Sequence, residues 1–78
     1  MDKNLLVDFG KRLKALREAK GLKQREMAEA MGLKLRQYQR YEYGEIGVPL
    51  EALNFFADYF GVTTDYLLGR SEDGGPEG

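Results

Sequence analysis

The sequence predicts an all-α domain of five short helices, on three observations. Apolar residues recur at helical spacing, no stretch shows the strict alternation of a half-buried strand, and Gly21, Gly32, Gly44, Gly61 and Gly69 each follow an apolar-periodic segment, where helices end. Helix one is expected over Asn4 to Lys20, because Leu5, Phe9, Leu13 and Leu16 step by four, four and three along one face. Asn4 is its expected N-cap, Gly21 its left-handed stop, and Gly10 a tolerated interior glycine. Helix two is expected over Gln24 to Met31, with Met27, Ala28 and Met31 on one side and Gly32 as the stop. Lys23 stands where a capping hydroxyl or amide would be expected, so packing must hold this helix.

Helix three is expected over Leu35 to Tyr43, its inward side at Leu35, Tyr38 and Tyr41 or Glu42, with Gly44 ending it. Glu45 to Val48 form a loop, and Pro49 suits the first turn of helix four. Leu50, Leu53, Phe56, Ala57 and Phe60 carry that helix to Gly61. Thr63 or Thr64 caps a last short helix holding Tyr66, Leu67 and Leu68. Residues 1–69 thus form one domain, and 70–78, with acids, glycines and no large apolar residue, form a disordered acidic tail or linker.

Composition narrows the function classes. A chain of 78 residues supports a single core, and 42% hydrophobic with 32% charged residues is the balance of a folded domain. With no cysteine there is no disulfide or thiolate metal site. With no histidine there is no imidazole base or ligand, and the hydroxyls other than tyrosine are Thr63, Thr64 and Ser71. Carboxylates such as Glu26 and Glu29 have no accompanying base or phosphate loop, so no enzyme, cofactor or metal is expected. No apolar run exceeds three residues, far below a membrane span, and the N-terminus is not a secretory signal. A cytoplasmic protein is expected.

The net charge of -1 conceals a division. Residues 11–40 hold ten Lys or Arg against three acids, whereas residues 41–78 hold only Arg70 against eight acids. One half is suited to a polyanion and the other to solvent or a protein partner.

Helices two and three, joined by a three-residue turn containing Gly32, suit a helix-turn-helix. The second helix presents Arg36, Gln37, Gln39 and Arg40. Arginine forks match guanine O6 and N7, and glutamine amides match adenine N6 and N7, edges that are distinguishable in the major groove.

Longer segments strengthen this reading. Phe9 to Leu22, the Lys23-Gln24-Arg25-Glu26-Met27-Ala28 opening of helix two, Arg40-Tyr41-Glu42-Tyr43-Gly44, and Phe60-Gly61-Val62-Thr63-Thr64-Asp65-Tyr66-Leu67-Leu68-Gly69 fall in one order. Together they resemble the Cro and lambda-repressor-like helix-turn-helix family, also called the xenobiotic response element family. The resemblance implies that Gln24 bonds a DNA phosphate, that Arg36, Gln37 and Arg40 read bases, and that Lys34, Gln39 and Tyr43 make phosphate or rim contacts. Arg25 and Leu35 complete the expected DNA-binding set. Leu35 either packs inward or touches a thymine methyl, and Lys23, in place of the usual cap, can reach phosphate. The resemblance further implies that Ala28 permits close crossing of helices two and three, and that Arg17 and Glu42 form a structural ion pair. Tyr38 stands where the family buries a smaller residue, so a larger pocket or a hydroxyl at the surface is expected. Pro49 lies one place later than the family's proline.

The expected function is a sequence-specific regulator binding double-stranded DNA, a bacterial or phage repressor acting as a homodimer on a pseudo-palindromic operator. Phe55, Tyr59, Tyr66 and Leu67 are the dimerisation candidates. The alternative is an antitoxin or anti-regulator that uses the same fold on a protein partner through its acidic C-terminal half.

Overall fold

The computed structural model describes residues 3–75. It contains α1 (Lys3–Ala19), α2 (Gln24–Met31), α3 (Leu35–Glu42), α4 (Leu50–Phe60) and α5 (Thr64–Leu67), with no strand among the described residues. The expected boundaries hold to within one residue at most ends. Two caps differ. Asn4 lies inside α1 rather than before it, and Pro49 is the N-cap of α4 rather than a residue of its first turn. Proline's fixed φ, here -61°, serves the extended cap conformation as well as a helical one.

The helices enclose one core centred on the fully buried ring of Phe56. Phe9 from α1 lies 6.0 Å from it, Tyr38 and Tyr41 from α3 lie 6.3 and 6.1 Å away, and Phe55 lies 6.1 Å away, most of them edge-on. Leu13, Met27 and Leu67 complete the fully buried set. Leu50 departs from its expected place in the apolar series of α4, being 83% exposed in the helix's first turn.

Each helix end is closed by a backbone bond from the residue after its glycine to the carbonyl five positions back. Leu22 thus donates to Arg17, Leu33 to Ala28, Glu45 to Arg40, Val62 to Ala57 and Arg70 to Asp65. The starts differ more. Lys23 has no side-chain oxygen to offer, so half of a capping box forms, in which the Glu26 carboxylate accepts from the Lys23 N–H at 2.8 Å. Thr63 caps α5 by accepting from the Tyr66 N–H at 3.0 Å. Thr63→Ala should cost about 1 kcal/mol in a urea titration.

Gly10 sits where α1 crosses α3. A Cβ there would fall on the Glu42 carbonyl oxygen and within 3.0 Å of the Tyr41 carbonyl oxygen, so the absence of a side chain sets how closely the helices approach. After α5 the chain turns back. Gly74 accepts a hydrogen bond from the Thr63 N–H at 2.9 Å, and Gly75 is buried beside the Tyr66 ring. The end of the expected tail, residues 76–78, lies outside the described residues.

Candidate nucleic-acid interface

Helix α3 has two unlike sides. Tyr38, Tyr41 and Glu42 are buried, and at about 100° per residue this turns Arg36, Arg40 and Tyr43 to the opposite side. Arg36, Gln37, Arg40 and Tyr43 are exposed, as are Lys34 at the N-cap of α3 and Arg25 in the first turn of α2. Gln37 flanks the Arg36–Arg40 stripe, one turn before Arg40, and borders a cleft against α4 with Tyr41, Pro49 and Phe55. Leu35 is 36% exposed and does not pack into the core, leaving its side chain at the surface beside Lys34 and Arg36.

The inner side is organised around one carboxylate. Glu42 receives Arg17 Nε at 2.5 Å and Arg17 Nη2 at 3.2 Å, a forked pair linking α1 to the end of α3. Arg17 also donates through Nη1 to the Leu22 carbonyl at 2.7 Å. The Tyr38 hydroxyl donates to Glu42 Oε2, and Gln24 Nε2 donates to Glu42 Oε1 at 3.1 Å. Of the two expectations for Tyr38, a larger core pocket is the one realised, since the residue is fully buried and its hydroxyl ends on this carboxylate.

Burial alone would raise the Glu42 carboxyl. Hydrogen bonds from Arg17, Tyr38 and Gln24 outweigh it and hold the group below its ordinary value. Arg17 is pushed up by its bond to Glu42, and the Tyr38 phenol is pushed up first by burial and then by the same carboxylate.

Gln24 joins the inner network to the outer surface. Its amide nitrogen reaches both Glu42 and the Tyr43 hydroxyl, the latter at 3.4 Å, while its oxygen accepts from Gln39 Nε2 at 3.0 Å. This ties the first residue of α2 to three side chains at the end of α3. Ala28, 2% exposed, belongs to the buried core, and its carbonyl accepts from Leu33 N at 2.9 Å in the turn between α2 and α3.

The arrangement is thus a rigid helix pair with a cationic outer stripe. Comparison with known proteins places it. The family model described as Helix-turn-helix matches residues 13–67. The chain belongs to the Cro/lambda-repressor-like helix-turn-helix family. Three curated relatives from Bacillus subtilis (strain 168) are similar to this helix-turn-helix chain. The SPbeta prophage-derived HTH-type transcriptional regulator YonR is 40% identical over 77% of the chain and 56% of the relative. The HTH-type transcriptional regulators YobD and ImmR are 34% and 33% identical, over 88% and 85% of the chain and 62% and 52% of their own lengths. The chain therefore spans little more than half of each relative.

Other sequence expectations fare differently in this helix-turn-helix domain. Leu67 was a dimerisation candidate, but it is fully buried within its own core and has no surface to offer a partner. Phe55 and Tyr59 stack at 5.4 Å with Tyr59 37% exposed, and Lys20 Nζ lies 5.3 Å from the Tyr59 ring centre. Tyr66 is half-buried beside Gly75. Glu45, which the sequence leaves in a connecting loop, lies 3.7 Å from Arg40 Nε and 4.0 Å from Arg36 Nη2. The signal for it was its place directly after Gly44, where the closing bond of a helix end sets the next residue. Among the described residues there is no cluster of His, Cys, Asp and Glu suited to a metal ion and no helix long and apolar enough to cross a membrane.

Proposed function

We propose that this chain is the DNA-binding domain of a sequence-specific transcriptional regulator, a bacterial or phage repressor acting in the cytoplasm. The observation that carries the reading is the exposed Arg36–Arg40 stripe on a helix whose other side is locked into the core. Helix α3 enters the major groove, where those arginines meet base edges, and α2 crosses the backbone with Gln24 at its N-terminal end near a phosphate. Arg25, Lys34, Gln39 and Tyr43 make phosphate or rim contacts, while Leu35 meets a thymine methyl and Gln37 reads from the flank. The transcriptional regulators similar to this chain support the reading, one of them being prophage-derived.

Two copies read the halves of a pseudo-palindromic operator about one helical turn apart, and repression follows from occlusion of the promoter. The homodimer is supported by apolar groups left at the surface: the Phe55–Tyr59 stack, and Leu50 at the edge of a cavity of about 210 Å³ formed by Leu5, Leu6, Phe9, Val48, Leu53 and Leu68. The reading assigns no catalytic step and no cofactor.

In vitro selection from random duplexes should recover an inverted repeat. Arg36→Ala and Arg40→Ala should each weaken binding to it by about 1 to 3 kcal/mol, roughly 5-fold to 150-fold, and relax preference at the positions they read. Binding that is salt-sensitive but without sequence preference would overturn the operator-reading function and favour a protein partner.

A further inference from the structure

Glu45 is an acid placed inside a cationic surface. Its backbone is fixed by the bond from its N–H to the Arg40 carbonyl at 3.0 Å, which closes α3 through Gly44. Gly44 has φ 68°, and a Cβ on it would come within 2.8 Å of the Val7 Cα and 2.9 Å of the Val7 N, so the turn is pressed against α1 and cannot drift. The Glu45 side chain therefore leaves from a set point beyond the Arg36–Arg40 stripe. Its carboxylate lies within ion-pair distance of both guanidiniums but beyond the reach of a hydrogen bond to either. The side chains are open to solvent, at 75% for Arg36, 46% for Arg40 and 41% for Glu45, so the pairing is weak and exchangeable.

We propose that Glu45 is a specificity-determining residue of the DNA face, its carboxylate serving as an internal counterion to Arg36 and Arg40 that is displaced where base edges take over the two guanidiniums. The proposal rests on the DNA-binding reading above. General binding comes from cations replacing the counterions condensed on phosphates. With Glu45 between them, two arginines bring a net charge of one unit to that exchange, and an arginine that swings to a phosphate leaves the carboxylate facing a polyanion. A guanine edge offers O6 and N7 as neutral, forked acceptors. Arginines that turn to those acceptors put no phosphate against Glu45. The acid thus penalises contact with the backbone alone more than contact with a matched base.

The test compares the wild-type chain with Glu45→Gln and Glu45→Lys on two duplexes, the inverted repeat recovered by selection and a scrambled version of it. Dissociation constants are measured from about 50 to 200 mM salt, where phosphate contacts register as a slope in log affinity. Glu45→Gln is expected to tighten binding to the scrambled duplex about fivefold or more, to steepen its salt slope by about one unit, and to lower the ratio of specific to general affinity severalfold. Glu45→Lys is expected to go further in the same direction. The melting temperature should hold in both variants, because the carboxylate touches nothing buried. Unchanged affinity for the scrambled duplex, or an equal gain on both duplexes, would overturn the assignment of Glu45 alone. A wild-type chain with no preferred duplex would remove the DNA-reading function beneath it.

Discussion

Glu42→Gln should lower the unfolding free energy by about 3 to 5 kcal/mol in urea titrations, because it leaves the buried Arg17 guanidinium without its counter-charge. The side chains of the pair are 9% and 0% exposed, so water cannot take over the lost attraction. Part of the cost comes from Tyr38 and Gln24, whose donors then face an amide that accepts through one oxygen and not two. The double replacement Arg17→Met with Glu42→Leu should lose less than the sum of the single changes, since it strands no charge. Equal losses would place the energy in packing instead of the ion pair.

The same carboxylate sets an acid limit. The folded state holds Glu42 below its ordinary value despite burial, so its contribution is complete above about pH 4.3, the unfolded glutamate range, and falls away as pH drops through the lower folded value. Stability of the Glu42→Gln variant should lack that part of the acid slope. Tyr38 acts at the other end. Its phenol is raised, so its contribution is complete below about pH 10 and is lost as pH climbs beyond the unfolded tyrosine range.

Gly10→Ala is expected to cost about 2 to 3 kcal/mol or more, although alanine is the better helix former by about 1 kcal/mol. The added methyl would lie only 2.1 Å from the Glu42 carbonyl oxygen, which is backbone and cannot rotate aside. Helices α1 and α3 would have to separate, stretching the Arg17–Glu42 bonds that join them. Gly47→Ala supplies the contrast, because a Cβ there meets nothing within 4 Å and the residue has no positive φ. That variant should be neutral or slightly stabilising. Thermal melts of the two proteins separate a packing requirement from a general effect of replacing glycine.

Helix number, order and approximate limits were legible in the sequence because glycines and spaced apolar residues are local signals, and α2 matches its expected range residue for residue. What was not legible depends on partners distant in the chain. Gly10 looked merely tolerated, since the carbonyl it must clear belongs to residue 42. The two expectations for Tyr38 were decided by the carboxylate one turn away, and Leu67 fills the core instead of serving as a contact point. Leu50 has the spacing of a core residue, yet at the first position of α4 it stays exposed while Ala52 in the same turn is buried. For the candidate site, the cationic residues of α3 were legible in the sequence, but the pairing of Glu45 with two of them required the turn at Gly44.

The division of α3 into an inner and an outer side also bears on how such a protein can diverge. Arg36 and Arg40 make no bond to the buried network, so a lineage can exchange them, and under the proposed DNA-reading role its target site with them, without a compensating change in the scaffold. Gln39 and Tyr43 are less free. Both meet Gln24, which in turn holds Glu42, so a substitution at either carries a cost in stability along with any change in preference. Retargeting should therefore run first through the two arginines, and later, if at all, through the glutamine bridge.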